Sequence, residues 1–121
     1  IISIPRATKG PLTVPIWYDY EPGGEVWVIT DTDSIKGKLL ANASRISLCA
    51  QTEIAPYQYV SVEGPFSTRS TTQEELLAMA IRYLGEEQGQ AYADNSAGSG
   101  AGSITVAIAP ETWFSVDYNK M

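Results

Sequence analysis

The chain has 121 residues, 44% of them hydrophobic and 18% charged, with 8 Lys and Arg against 14 Asp and Glu for a net charge of -6. That balance reads as one soluble globular domain over residues 1–121, able to bury about two-thirds of its unfolded surface without disulfides or structural metal. With no His and a single Cys49, Ser-His-Asp and Cys-His hydrolysis, imidazole-held zinc and a stapling disulfide are excluded.

The acidic mean field opposes nucleic acid and anionic membrane, so neither is an expected partner, and any anionic ligand has to meet a local patch. One unpaired Cys fits a reducing cytoplasm. No run of 18 apolar residues occurs, and Ile1-Ile2-Ser3-Ile4-Pro5 lacks the charged start of a signal peptide. The expected location is cytoplasmic. Because position 1 is Ile, residues upstream are expected, an N-terminal helix among them.

In chain order, Ile1 to Ile4 reads as a first short strand. Gly10 to Tyr20 and Glu25 to Thr30 are rich in β-branched and aromatic residues, and Glu21-Pro22-Gly23-Gly24 turns between them. A β-hairpin is predicted. Alternation puts Thr13, Pro15 and Trp17 on one face and Val14, Ile16 and Tyr18 on the other. Pro15 carries no N–H, so it predicts a sheet edge or a break in the ladder. Ser34 to Asn42 follows as a two-turn helix, capped by Ser34 or Asp33 and held by Leu39 and Leu40.

Ser44 to Ala50 and Tyr57 to Gly64 alternate as strands. Overlapping capping boxes in Ser70-Thr71-Thr72-Gln73-Glu74 open a helix whose Leu76, Leu77, Ala80, Ile81 and Leu84 share one face, and Gly85 stops it. Glu86 and Glu87 read as solvated helix charge. Asn95 to Ser103 contains only Asn, Ser, Ala and Gly, which bury little, so a mobile loop is expected. Ser103 to Ala109 and Thr112 to Tyr118 complete six or seven strands. The expected fold is mainly β, an antiparallel barrel with a few helices and no internal repeat.

The charge map locates candidate chemistry. Ser34 to Thr52 holds no acidic residue but contains Lys36, Lys38 and Arg45, so it carries +3 and leaves -9 for the rest of the chain. The segment Thr30-Asp31-Thr32-Asp33-Ser34 joins strand to helix there. Its hydroxyls from Thr30, Thr32 and Ser34, together with Lys36, Lys38 and free backbone N–H groups, suit an anion. The competing reading makes the lysines a solvated helix face and the hydroxyls ordinary caps, with Asp31 and Asp33 repelling an anion unless turned outward. Trp17, Tyr18, Tyr20, Trp27, Tyr57 and Tyr59 lie on the flanking strands, as walls for a planar ligand or as barrel packing. Cys49, inside a β-pattern, reads as a small buried hydrophobe, and Asn42-Ala43-Ser44 as a chance glycosylation triplet.

These residues, taken in order, carry a resemblance. Gly10 to Tyr18, Val26 to Thr30, Ser34 to Leu40, Arg45 to Leu48 and Tyr59 to Gly64 together resemble the pyridoxamine 5'-phosphate oxidase-like family over residues 10 to 64. These flavin-reductase-like split β-barrels bind FMN or, in actinobacterial relatives, the deazaflavin coenzyme F-420. The resemblance implies a homodimer with cofactor sites at the subunit interface. Lys36 would be the phosphate lysine, Ser34 and Thr30 hydroxyl donors, and Pro15, Ile16 and Trp17 the lining of the ring system. With Thr32, Lys38 and Tyr59 these make the candidate cofactor-binding set.

Ile35 stands where many members have Arg, and Ser44 where many have Pro. Loss of the Arg removes a bidentate phosphate contact and favours a diester-bearing deazaflavin over FMN. The implied activity is hydride transfer between cofactor ring and a small organic acceptor, with no catalytic side chain and no metal required. The alternative is a non-catalytic flavin- or deazaflavin-binding or storage protein of the same fold. Vitamin B6 phosphate is not the expected substrate, because the C-terminal half offers only Arg69, Arg82 and Lys120 to grip it. Haem would have to rely on Tyr, Cys49 or Met as axial ligand.

Overall fold

The computed structural model describes residues 1–20, 22–52, 54–96 and 102–117. Among them are eight strands and three helices. The chain starts with β1 (Ile2–Ile4), β2 (Leu12–Val14), β3 (Tyr18–Tyr20) and β4 (Val26–Asp31), followed by α1 (Ile35–Leu40). Next come β5 (Arg45–Gln51), β6 (Gln58–Ser70), α2 (Gln73–Leu84), α3 (Glu86–Ser96), β7 (Ser103–Ile108) and β8 (Thr112–Asp117). The strand count exceeds the six or seven expected because Gly10 to Tyr20 divides into β2 and β3 at residues 15–17. Pro15 has no N–H to give to a ladder, and the break falls there. Beyond the break β3 pairs with β4, Tyr18 opposite Val28 and Tyr20 opposite Val26, which is the anticipated hairpin. Gly23 has the positive φ of +84° that its turn requires; Glu21 lies outside the described residues.

The strand order is β2-β1-β5-β6-β7-β4-β3, antiparallel throughout, and β8 pairs with β6. β6 runs six residues past Gly64 because it serves both halves of the sheet. Tyr59 to Pro65 face β5, and Phe66 to Ser70 face β7. β2 and β3 stand at opposite ends of this order, yet only residues 15–17 separate them in the chain. Four residue steps span at most about 14 Å. The sheet therefore curls until its ends nearly meet, which makes a split barrel.

Alternate residues of β1, β4 and β5 point inward. Ile2, Ile4, Val26, Val28, Ile46, Leu48, Val62, Val106 and Ile108 form the core with Leu40 of α1. Each such side chain contributes about 1.5–3 kcal/mol by leaving water. α1 begins at Ser34, whose hydroxyl accepts from the Gly37 N–H. α2 begins in a capping box in which Thr72 and Glu75 exchange side-chain and backbone bonds.

The third helix is a departure from expectation. Its sequence (EEQGQAYADNS) has little apolar periodicity, and what secures it is contact with α2. Gly89 lies so close to α2 that an added Cβ would stand 2.6 Å from the Ile81 nitrogen. Ala93 is fully buried, and its carbonyl accepts from Gln73 Nε2 at 3.1 Å. Of the expected loop from Asn95 to Ser103, Asn95 and Ser96 close α3 and Ser103 opens β7, while residues 97–101 lie outside the described set, as does Tyr118.

Glu75 ties α2 to the sheet. Its Oε1 accepts from buried Thr105 at 3.3 Å and from the Thr72 N–H at 3.1 Å, and its Oε2 pairs with Arg69 at 2.8 Å. Burial pushes this carboxyl up, but the bonds from Thr72 and Arg69 outweigh it and hold it below its ordinary 4.5. A carboxyl lowered on folding adds stability that is whole above its unfolded value and fades as pH falls through the folded one. Glu75→Gln is therefore expected to be less stable than the parent at pH 7, with the difference shrinking below pH 4.5. Urea melts at several pH values measure it, and a pH-independent difference would contradict the assignment.

Candidate functional site

The last residues of β4 and the first turn of α1 border a cleft of about 710 Å³. One wall is Ile16 and Trp17, from the segment that Pro15 releases from the ladder. The floor is Ile29, Thr30 and Asp31 at the end of β4, continuing through Asp33, Ser34 and Lys36. Leu76, Met79 and Ala80 of α2 and Tyr92 of α3 cover it, with Gly102 and Ser103 at one end. The cleft thus joins an apolar and aromatic half to a polar half.

Five of the nine candidate residues line it: Ile16, Trp17, Thr30, Ser34 and Lys36. The two hydroxyls, however, have their protons committed inside the protein. Ser34 Oγ accepts from the Gly37 N–H at 3.0 Å and donates to the Asp31 carbonyl at 2.7 Å. Thr30 Oγ1, 3.2 Å from Ser34 Oγ, must then be the donor of that pair. Ser34 is an ordinary helix cap, so its role as a ligand donor requires these bonds to be rewired. Lys36 is different: among the described residues it has no carboxylate partner within ion-pair distance, and it is half-buried at the cleft.

The other four candidates lie elsewhere. Pro15 and Lys38 are exposed and do not border the cleft. Thr32 spends its hydroxyl on the Gly102 carbonyl at 2.7 Å. Tyr59 lines a second, shallower cavity of about 430 Å³ with Tyr18, Gln51 and Asp117. The cationic patch read from sequence also divides. Arg45 binds Glu63 through Nε at 2.5 Å and Glu111 through Nη2 at 2.6 Å, away from the cleft. The Glu63 and Glu111 bonds raise the Arg45 guanidinium above its ordinary range, and Arg45 in turn holds Glu63 below its own. Only Lys36 supplies positive charge to the described cleft lining.

Trp17 is positioned by residues 65 and more places away in the chain. Its indole lies flat on Tyr83, centroids 4.9 Å apart and planes within 3°, and Tyr92 tilts against it at 6.0 Å. Tyr83 Oη accepts from the Tyr18 N–H at 3.0 Å and donates to the Tyr18 carbonyl at 3.1 Å. Arg82 Nε donates to the same carbonyl at 2.8 Å, and its guanidinium sits 5.1 Å from the Tyr18 ring centre. The end of α2 thereby caps β3, a terminal strand of the sheet with backbone groups to satisfy. Tyr83 and Tyr92 were not found by sequence reasoning. Tyr83 lies at the edge of the α2 stripe, seven residues after Leu76, where it reads as one more packing residue, and Tyr92 lies on a helix with no clear pattern.

No family model matches this chain, and no curated protein does. Solved structures do match. A conserved hypothetical protein of Mycobacterium tuberculosis is 21% identical with a TM-score of 0.75, covering 98% of this chain and 76% of its own. An F-420 reductase is 14% identical with a TM-score of 0.73, covering 93% of this chain and 86% of its own. A pyridoxamine 5'-phosphate oxidase candidate of Listeria innocua is 8% identical with a TM-score of 0.65, covering 95% and 85%. The fold is the pyridoxamine 5'-phosphate oxidase-like split barrel. Proteins of this fold include reductases and flavin binders, and at these identities the likeness establishes architecture. Among the described residues of this split barrel, no helix is long and apolar enough to cross a membrane, and no His, Cys, Asp and Glu group suits a metal.

Proposed function

We propose that this split barrel binds a flavin or deazaflavin in the Trp17–Lys36 cleft and serves a hydride-transferring oxidoreductase of the cytoplasm acting on a small organic acceptor. The observation that carries the reading is the pairing, in one cleft, of an apolar and aromatic wall with an ammonium that has no ion-pair partner among the described residues. The residues fit such a group. About 710 Å³ lies within the range of small-molecule sites, and a few polar groups at one end of an apolar cleft are what orient a ring compound. When bound, the ring supplies the hydride chemistry. The chain's own part is to position it: Ile16 and Trp17 flank the plane, Leu76, Met79 and Ala80 exclude water, and Lys36 holds the anionic tail.

Lys36→Ala tests this. A charge-assisted contact is worth about 1.5–3 kcal/mol, so the variant is expected to bind FMN or coenzyme F-420 about 10- to 100-fold more weakly by fluorescence titration. Unchanged affinity for whichever cofactor binds the parent would remove the reading. A storage role is separated from an enzyme by one assay. With a quinone or enone present, the protein speeds reoxidation of the reduced cofactor only if it is an enzyme.

The proposal includes a homodimer. β8 presents Trp113, 47% exposed, and Phe114, 59% exposed, on a strand paired to β6 alone among the described strands. The two point to opposite faces of β8, Trp113 beside Tyr20 and Phe114 beside Tyr59, and each leaves about half its surface for a partner to cover. Light scattering is expected to give twice the 13.1 kDa chain mass, with Trp113→Asp/Phe114→Asp shifting it to one; a parent that is monomeric at micromolar concentration rules the dimer out.

A further inference from the structure

The cleft that holds Lys36 also holds two carboxylates. Asp31 and Asp33 both line it, Asp31 is steadied by the Ser103 hydroxyl at 3.3 Å, and neither is neutralised by an ion pair among the described residues. Of the other two cations that the sequence placed nearby, Arg45 is spent on Glu63 and Glu111 and Lys38 does not border the cleft. The described lining therefore carries one positive and two negative groups. The repulsion that a bound anion feels grows in proportion to its own charge, as does its attraction to Lys36. Asp31 and Asp33, both exposed, thus each repel a dianion about twice as strongly as a monoanion, and a single ammonium stands against the two of them.

Resting on the ligand class proposed above, we infer that Asp31 and Asp33 make the cleft a charge filter. It admits a ring compound whose group at Lys36 carries at most one negative charge, a phosphodiester, and disfavours a phosphomonoester, which carries close to two at neutral pH. The two aspartates are specificity-determining residues, and they act on the tail of the ligand while the ring contacts stay with Ile16 and Trp17.

A charge series on one scaffold tests this. Riboflavin, riboflavin 4',5'-cyclic phosphate and FMN carry about 0, -1 and -2 at pH 7.5, and the same three forms of 5-deazariboflavin extend the series to the other ring. The parent, Asp31→Asn, Asp33→Asn and a control, Glu25→Gln, are titrated at fixed ionic strength by tryptophan fluorescence. Glu25 is exposed just before β4, whose six residues separate it from the cleft end.

The expected result is that the parent binds the cyclic phosphate more tightly than the monoester. Each Asp→Asn change raises monoester affinity about fivefold or more, raises that of the diester by less, and leaves the uncharged compound unchanged. Glu25→Gln should match the parent. Equal gains for all three compounds, gains as large in the control, or a parent that prefers the monoester overturns the filter while leaving the binding site standing. If no member of either ring series binds, the filter falls together with the function on which it rests.

Discussion

Gly37→Ala is expected to lower the melting temperature by about 5–15 °C and to abolish much of the ligand binding with it. The Cβ would overlap the Asp31 carbonyl oxygen and stand 2.6 Å from that of Thr32 and 2.9 Å from the Thr32 carbonyl carbon. All three are backbone atoms that cannot rotate aside. The helix α1 would have to lift away from the end of β4, loosening buried Leu40 and the Ser34 cap together. Overpacking of this kind costs about 1–3 kcal/mol, and each kcal/mol shifts the midpoint of a domain this size by several degrees. Lys36 sits one residue before Gly37, so it would move as well. Gly10→Ala is the control, since nothing lies within 4 Å of its Cβ position. Scanning calorimetry of the two variants decides it, and equal midpoints would show that α1 does not rest on β4 in this way.

Trp17→Ala is expected to weaken binding of the ring compound by about 10- to 100-fold, near the worth of one aromatic wall in a desolvated site. The indole is 36% exposed, with one face laid on Tyr83. Tyr83→Phe keeps the ring and loses only the bonds to Tyr18, so it should bind nearly as well as the parent while being less stable. Tyr83→Leu removes the flat support and should weaken binding several-fold, with a changed near-ultraviolet circular dichroism from Trp17. Titration calorimetry on the three variants reads the order. A Trp17→Ala protein that binds like the parent would move the ring out of this cleft.

Much of the frame was legible in local pattern. Alternation in Val26 to Thr30 and Ser44 to Ala50 marked strands that the fold contains, and Pro15 marked the break that frees Trp17 from the ladder. Ser34 was readable as a cap because its hydroxyl needs only the backbone three residues on. The same reading mistook the reach of the cationic patch. Lys36, Lys38 and Arg45 are neighbours in sequence, yet α1 and β5 carry them to different surroundings. Arg45 finds Glu63 across the β5–β6 ladder and Glu111 beyond β7. No count of charges along a segment contains that information.

By itself, then, the sequence determined the strands, the helix caps, the hairpin and the absence of imidazole chemistry, because each depends on residues a few positions apart. Only the tertiary structure decided that Trp17 would lie on Tyr83, that α3 would form against α2 at Gly89, and that Arg45 would be drawn away from the cleft by Glu63 and Glu111. The placement of Trp17 follows from how far the sheet curls to bring β2 and β3 together. Closure of that kind is a property of all the ladders at once, and no local stretch encodes it.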